Sequence, residues 1–241
     1  MGKKIISLPN CESTNTVLAS LADANRLEEG SVVITENQTR GRGQAGNQWV
    51  TEPGANLTFS VLLKPVFLEP GRQFFLNMVV GLAVCDTIKS IAGLPALVKW
   101  PNDVLVNDKK VCGILIENQL HGQQFVQAIV GIGLNVNQQK FAYDGAASLK
   151  NLSNRNFDKS FVLDVLLGNL EEHYHQLKKG AMELLTTQYH ELLYRRAEQH
   201  AFEADGKEFL GIITGVDDIG RLCIDTDKGE RKFNFKEVRF R

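Results

Sequence analysis

The segment ENQTRGRGQAGNQW, residues 36–49, sets how the rest of this 241-residue chain is interpreted. Its character comes from three glycines and two arginines, at Gly41, Gly43, Gly46, Arg40 and Arg42. Glycine at this density keeps a loop mobile unless a contact orders it, because glycine loses the most conformational entropy on folding. A guanidinium fork suits phosphate or carboxylate. The segment alone therefore predicts either a solvated flexible loop or an anion-binding loop.

A second segment, KWPND at residues 99–103, favours the anion-binding interpretation. Its lysine lies near the end of a predicted strand over 97–100, and a predicted β-hairpin follows over 104–117. We expect polar residues at strand ends and helix starts to converge, since ligand sites of α/β structures gather there. The candidates of this kind are Ser13, Thr14, Asn15, Gln38, Arg42, Lys99, Asn102, Asp103 and Asn135.

The sequence contains neither a catalytic cysteine–histidine spacing nor a Gly-x-Ser-x-Gly elbow, so it offers no case for nucleophilic catalysis. Two cations with amides nearby suit an anionic substrate that is coupled to a phosphate. Acyl activation by ATP fits this set best, because its catalysis consists mostly of positioning and charge stabilisation.

Composition indicates an ordinary globular protein, with 43% hydrophobic residues and a formal net charge of −1. Such a charge favours neither nucleic acid nor an anionic membrane. No apolar run is expected to reach the roughly 20 residues of a membrane span. The four cysteines form no CxxC pair and the five histidines suggest no metal site, so we expect reduced thiols in a cytoplasmic protein without a protein-held metal.

Hydrophobic periodicity predicts most elements of the chain. Predicted strands cover 4–8, 31–36, 56–63, 97–100, 104–106, 110–117 and 124–137, and predicted helices cover 18–27, 74–92, 161–179 and 180–194. Ser13 or Thr14 is the expected N-cap of the first helix. Residues 145–152 are predicted to be a loop. After residue 195, short runs between Asp-Gly and Lys-Gly turns predict about five antiparallel strands, which divides the chain into domains at 1–194 and 195–241.

Taken together, these motifs resemble the short biotin–protein ligases, the biotin–[acetyl-CoA-carboxylase] ligases, from about residue 5 to the end of the chain. The matching segments are STN at 13–15, the loop at 38–49, GANL at 54–57, KWPND at 99–103, GILIE at 113–117 and GIGLNVN at 131–137. The resemblance implies an α+β fold, with a mixed or antiparallel catalytic sheet of the biotin/lipoate ligase type and a small C-terminal SH3-like barrel.

The resemblance also implies the activity. Biotin and ATP would form biotinoyl-5′-AMP, with Mg²⁺ arriving alongside ATP. The biotinoyl group would then pass to one lysine of a biotin carboxyl carrier protein domain. Homodimerisation through a sheet edge is possible in the family.

Residue roles follow from the resemblance position by position. The implied biotin-binding residues are Ser13, Thr14, Asn15, Gln38, Gly41, Arg42, Gly43, Gln44, Lys99, Gly113 and Ile114. The implied ATP or adenylate contacts are Arg40, Arg42, Trp49, Lys99, Asn102 and Asn135, with Asn135 reading adenine. Lys99 and Arg42 are the expected catalytic residues, Trp49 and Trp100 would wall the nucleotide side, and no protein metal ligand is implied.

The chain departs from the family pattern inside the loop. Many members carry basic residues where this chain has Gln44 and Asn47. Fewer cations over the phosphate predict that some biotinoyl-AMP escapes and modifies bystander lysines. Only about a dozen residues precede Ser13, so we expect no N-terminal DNA-binding domain of the kind that some relatives carry.

Two alternatives stay open at this point. A lipoate– or octanoate–protein ligase shares the fold and the carrier-lysine chemistry, and a degenerate module would bind biotin or a carrier without catalysis. Adenylate formation separates enzyme from module, and acid preference separates the two enzymes.

Overall fold

The computed structural model describes residues 1–24 and 27–241. Its strands are β1 (Ile5–Cys11), β2 (Val32–Gln38), β3 (Leu57–Leu63), β4 (Ala96–Lys99), β5 (Asp103–Val106), β6 (Lys109–His121), β7 (Gln124–Leu134), β8 (Gln199–Ala204), β9 (Lys207–Val216), β10 (Leu222–Thr226), β11 (Gly229–Phe233) and β12 (Arg239–Phe240). Its α-helices are α1 (Thr14–Asp23), α2 (Phe74–Ala92), α3 (Leu149–Ser153), α4 (Lys159–Lys178) and α5 (Met182–Glu191).

The larger sheet has seven strands in the order β1-β2-β3-β7-β6-β5-β4. Strands β1 and β2 run parallel, and each following neighbour is antiparallel. The sheet is therefore mixed, as the expected fold class requires. Its β5–β6 connection is the predicted hairpin, with positive φ at Asn107 and Asp108.

Helices cover both faces of this sheet. Helix α1 packs Leu18 and Ala22 against Val33, Leu62 and Ile129 on one face. The main core lies on the opposite face, where α2 and α4 pack together. Every residue of β3 is buried. A strand covered on both faces has no solvent side to keep polar, which explains its nearly continuous apolar sequence.

Helix α2 has the predicted bounds, but the expectation that no apolar segment is long enough to span a membrane was wrong. By length and composition, the segment Pro70–Ala92 is long and apolar enough to cross a membrane. Its most apolar 18-residue window is 72% buried inside the protein. Burial on nearly all sides explains the composition, since a helix that is hydrophobic all round marks the centre of a core.

The second sheet contains five antiparallel strands in the order β11-β10-β9-β8-β12, which matches the predicted C-terminal strands. It contacts the catalytic part through Gly220, whose carbonyl accepts a 2.8 Å hydrogen bond from the Trp100 indole. Gly220 has a φ of +88°, and a Cβ there would lie 2.3 Å from Phe74, so only glycine fits this contact. The domain boundary near residue 195 stays a prediction.

Two local predictions need correction. Residues 145–152 are not all loop, because α3 begins at Leu149 with a capping box between Ser148 and Asn151. The sequence Ser-x-x-Asn carries that signal, although glutamate or glutamine is the usual partner. Helix α1 ends at Asp23 rather than at 27, and residues 25 and 26 of the predicted helix lie outside the described residues.

Candidate active site

Strands β3, β7 and β6 present small or polar residues beside the start of helix α1. Side chains alternate between the faces of a strand, so Thr58 and Ser60 of β3 share one face. Ser60 is paired with Gly131 and Thr58 with Gly133 of β7, and Gly133 is paired in turn with Gly113 of β6. A cleft of about 260 Å³ opens over these positions.

One end of the cleft consists of neutral groups that bind one another. The backbone N–H of Thr14 donates to Gln38 Oε1 at 2.9 Å. The hydroxyl of Ser60, fully buried, lies 2.6 Å from Asn15 Oδ1 and 2.7 Å from Thr14 Oγ1. Ser13 occupies the predicted N-cap position of α1, but its side chain makes no capping hydrogen bond. We call Thr14, Asn15, Gln38 and Ser60 the neutral end of the cleft.

Asn15 is held at both ends of its amide. Besides the Ser60 contact to its oxygen, its nitrogen donates to Glu117 Oε2 at 2.7 Å and to the Leu115 carbonyl at 3.3 Å. Its oxygen also lies so close to Gly131 that a Cβ there would be 2.4 Å away. Asn15 therefore joins β3, β6 and β7 through contacts within the protein. Its contact with biotin stays a prediction.

The glycine–arginine loop, residues 38–49, folds back on itself as a small hairpin. The N–H of Trp49 donates to the Gly41 carbonyl at 2.9 Å, and that of Gly43 donates to Asn47 at 2.7 Å. This fold lays the Trp49 indole on the sheet over two paired glycines. A Cβ at Gly133 would lie 2.4 Å from the ring and one at Gly113 would lie 2.9 Å from it. The two glycines of the Gly-x-Gly motif in β7 therefore leave room for side chains to lie directly on the sheet: Gly131 for Asn15 and Gly133 for Trp49.

The cleft also carries cations. Arg42 Nη2 lies 2.9 Å from Glu117 Oε2, beside the neutral end, and Lys110 Nζ lies 2.6 Å from Asp103 Oδ1. Lys99 has no carboxylate within 4.0 Å among the residues that the structure describes. We call Lys99 and Lys110 the cation end.

Lys99 lies against the C-terminal sheet, with its ammonium 5.0 Å from the centre of the Phe240 ring. Burial lowers the pKa of Lys99, Asp103 opposes that shift, and the positive charges of Arg195 and Lys110 lower the pKa further. A half-buried cation without a carboxylate partner is costly in the unbound protein, so it favours an anion that enters the cleft.

Most of the residues expected from sequence line this one cleft: Ser13, Thr14, Asn15, Gln38, Arg42, Gly43, Gln44, Trp49, Lys99, Trp100, Asn102, Asp103, Gly113 and Ile114. Three buried polar atoms among them make no hydrogen bond in the described part of the chain: Gln44 Oε1, Trp49 Nε1 and Asp103 Oδ1. Of the three, Asp103 Oδ1 has an ion-pair partner in Lys110. Buried polar atoms of this kind commonly meet a ligand or water.

Three expected residues lie outside the lining. Gly41 and Arg40 border a neighbouring groove, where exposed Arg40 is 3.5 Å from Glu12. Asn135 is buried, and its amide donates to the Ala147 carbonyl at 3.1 Å. Its reading of adenine stays a prediction.

Sequence reasoning missed Ser60, Lys110, Glu117 and Phe235. Lys110 and Phe235 line the cleft, and the other two hold lining side chains. Strand alternation carries a signal for two of them, because Ser60 and Glu117 interrupt apolar strands on the face that bears the glycines. Nothing local marks Lys110 or Phe235.

No group of three or more histidine, cysteine, aspartate or glutamate side chains that could hold a metal is found within residues 1–24 and 27–241. Asp103 is the carboxylate that lines the cleft.

Comparison with known proteins agrees with this geometry. Residues 8–135 match the Biotin/lipoate A/B protein ligase family, and residues 201–241 match the biotin protein ligase C-terminal domain. The bifunctional ligase/repressor BirA of Bacillus subtilis is 32% identical over 99% of this chain and 74% of its own length. The biotin–[acetyl-CoA-carboxylase] ligase of Mycobacterium tuberculosis is 33% identical over 88% of this chain and 80% of its own.

Among solved structures, the biotin protein ligase of Aquifex aeolicus in complex with biotin and ATP superimposes with a TM-score of 0.84. It is 28% identical, and the match covers 99% of each chain. The chain therefore belongs to the Biotin/lipoate A/B protein ligase family. Within that family it is a ligase of the biotin protein ligase type, and the expected α+β fold with a C-terminal SH3-like sheet is confirmed.

Proposed function

We propose that this chain joins biotin to one lysine of a biotin carboxyl carrier protein domain in two steps. In the first step a biotin carboxylate oxygen attacks the α-phosphorus of ATP, which gives biotinoyl-5′-AMP and releases pyrophosphate. In the second step the lysine ε-amine attacks the acyl carbon, so that an amide forms, AMP leaves and the amine loses a proton. The family, the relatives and the geometry of the cleft support this proposal.

The observation that carries it is Lys99 at the cation end. Arg42 and Lys110 already contact carboxylates, whereas no carboxylate lies within 4.0 Å of the Lys99 ammonium in the described ranges. An ammonium in a half-buried site attracts the carboxylate and the α-phosphate more strongly than it would in water. Lys99 therefore stabilises the negative charge that develops on the phosphate, and Arg42 and Lys110 add to the same field.

The neutral end suits the ring system of biotin. The ureido group is uncharged and both donates and accepts hydrogen bonds, so a neutral pocket receives it without burying a charge. Thr14, Gln38 and Ser60 are already held in one network, so little ordering is needed when the ring binds.

Trp49 covers the middle of the cleft between the two ends. Its indole lies on Gly113 and Gly133, with the Lys110 ammonium 5.5 Å from the ring centre. A tryptophan here keeps water from the mixed anhydride, which would otherwise hydrolyse before a lysine arrives.

A Mg²⁺ ion fits the residues present at the cation end. Such an ion is usually held by one or two carboxylates together with substrate phosphates. Asp103 supplies one carboxylate, whose Oδ1 contacts Lys110. When bound, the ion would neutralise phosphate charge, while the protein contribution is that of Asp103 beside Lys99 and Lys110.

We place the reaction in the cytoplasm, with the carrier domain as macromolecular partner and neither nucleic acid nor membrane involved. A homodimer through a sheet edge stays a prediction, and β1 and β4 are the edges of the larger sheet.

The test is exchange of labelled pyrophosphate into ATP, run in parallel with biotin, lipoate and octanoate. We expect exchange with biotin alone. Exchange with lipoate or octanoate instead would reassign the substrate, and no exchange with any acid would favour a binding module.

A further inference from the structure

Glu117 of β6 contacts Asn15 of the neutral end and the loop cation Arg42 through one oxygen atom. Its Oε2 accepts from the Asn15 side-chain amide at 2.7 Å and from Arg42 Nη2 at 2.9 Å. Asn15 is buried, whereas the side chains of Arg42 and Glu117 are 48% and 39% exposed. The carboxylate thus joins a buried amide to an arginine of the glycine–arginine loop.

The side-chain hydrogen bonds that Arg42 makes within the described part of the chain all use one nitrogen. Nη2 meets Glu117 and, at 3.4 Å, the Thr16 hydroxyl of α1. A guanidinium has five N–H donors in a rigid plane, so a contact at one nitrogen fixes the direction of the others. Glu117 therefore sets the direction in which Arg42 presents its remaining donors to a carboxylate or phosphate.

On the other side, Asn15 transmits the position of Glu117 into the neutral end. Its oxygen meets Ser60, which also contacts Thr14. A contact chain consequently runs from the loop arginine through Glu117 and Asn15 to the start of α1.

We propose that Glu117 is a positioning residue, which orients Arg42 and Asn15 together and couples the order of the glycine–arginine loop to the biotin end of the cleft. This inference rests on the proposed function. An exposed ion pair without such coupling contributes little, so an ordinary surface pair would leave activity nearly unchanged.

The test measures biotin-dependent pyrophosphate exchange for the wild type, Glu117→Ala, Glu117→Gln, Arg42→Ala and the double variant Glu117→Ala/Arg42→Ala. We expect Glu117→Ala to lower kcat/KM for biotin by on the order of tenfold to a hundredfold, the usual range for loss of an outer partner of a site residue. Glu117→Gln recovers most of that loss, because its carbonyl oxygen accepts both hydrogen bonds.

The double variant separates positioning from a general structural defect. If Glu117 acts through Arg42, its removal from the Arg42→Ala protein costs far less than its removal from the wild type. Effects that multiply to within about twofold, as for independent sites, would overturn the proposal. So would a Glu117→Ala protein with wild-type kcat/KM.

A matched control is an exposed arginine–glutamate pair outside the cleft. Glu69 lies 3.8 Å from Arg72, and Glu69→Gln is expected to leave exchange unchanged. Urea unfolding of each variant checks folding, and Glu117→Gln keeps the test informative if Glu117→Ala is unstable. A wild type without biotin-dependent exchange would refute the proposed function, whereas an active wild type with an unaffected Glu117→Ala refutes this inference alone.

Discussion

The two ends of the cleft differ in how their polar groups are satisfied. At the neutral end, Thr14, Asn15, Gln38 and Ser60 bind one another, so the pocket has its shape from protein contacts alone. At the cation end, Lys99 keeps a buried stem and no carboxylate partner in the described part of the chain. The hydrogen bonds of the neutral end stabilise the fold. The ammonium of Lys99, which has no carboxylate partner among the described residues, can stabilise an anionic transition state.

Replacing Lys99 should give the largest effect and tests the cation end directly. We expect Lys99→Ala to lower the rate of biotin-dependent pyrophosphate exchange by on the order of a hundredfold to a thousandfold, about 3–4 kcal/mol, as for loss of one oxyanion donor. The free energy of unfolding should not fall, because a half-buried charge without a carboxylate partner is itself costly in the folded protein. Stopped-time exchange assays and urea unfolding measure the two quantities.

Lys109→Ala is the matched control, since Lys109 lies beside the cleft residue Lys110 but donates to the Asp144 carbonyl away from it. Its exchange rate should equal that of the wild type. Normal adenylate formation by Lys99→Ala would remove Lys99 from the catalytic role.

Replacing Ser60 tests the neutral end and should act mainly on stability. Ser60→Ala leaves Asn15 Oδ1 and the Thr14 hydroxyl without this partner in a buried site. Leaving buried polar groups unsatisfied costs about 1–3 kcal/mol of unfolding free energy. Urea unfolding should show that loss, together with a raised KM for biotin. Ser20→Ala, on the exposed side of α1, serves as control, and equal stability of the two variants would contradict the comparison.

Sequence predicted those parts of the molecule that depend on local pattern. Helix α2 has its predicted bounds because its apolar period and its Gly93 stop lie within the segment itself. The lining residues of the loop and of KWPND were found because their types alone suit phosphate and carboxylate.

Partners far apart in sequence escaped prediction. Ser60 meets Asn15 across 45 residues, and Arg42 meets Glu117 across 75. Such pairs depend on strand register, which joins β3, β7 and β6 side by side only in the folded sheet. The protein partners of Asn15 escaped prediction for the same reason, and its contact with biotin, which the resemblance implies, stays a prediction.

Titration of Lys99 is expected to affect activity and stability in opposite directions. As pH rises, exchange activity falls and the contribution of Lys99 to stability increases. Burial lowers the pKa of Lys99, so it loses its proton at a lower pH than an ordinary lysine, whose pKa is about 10.4. Exchange activity should therefore fall as pH rises through the folded pKa. Between the folded and unfolded pKa values the unfolded chain binds more protons, so the contribution of Lys99 to stability rises with pH in that window.

Profiles of kcat/KM against pH for the wild type and Lys99→Arg measure this effect. Arginine stays charged, so its alkaline limb should move to higher pH. An identical limb in both proteins would assign the fall to another group.

The smallest expected effect concerns Gln44, a cleft residue whose Oε1 is buried without a partner in the described ranges. The lack of a cation here predicts that some biotinoyl-AMP leaves the cleft and modifies bystander lysines. Gln44→Arg adds a charge over the phosphate, and a single such pair is worth about 0.2–1 kcal/mol, so release should fall by a factor of about 1.4 to 5. Biotin incorporated into casein without a carrier domain measures release.

Gln124→Arg adds the same charge at the tip of the β6–β7 hairpin and should leave release unchanged. Incorporation by the wild type no higher than in the absence of enzyme would show that the cleft retains its adenylate without a cation at Gln44, and the paired cations Arg42 and Lys110 would then suffice for retention.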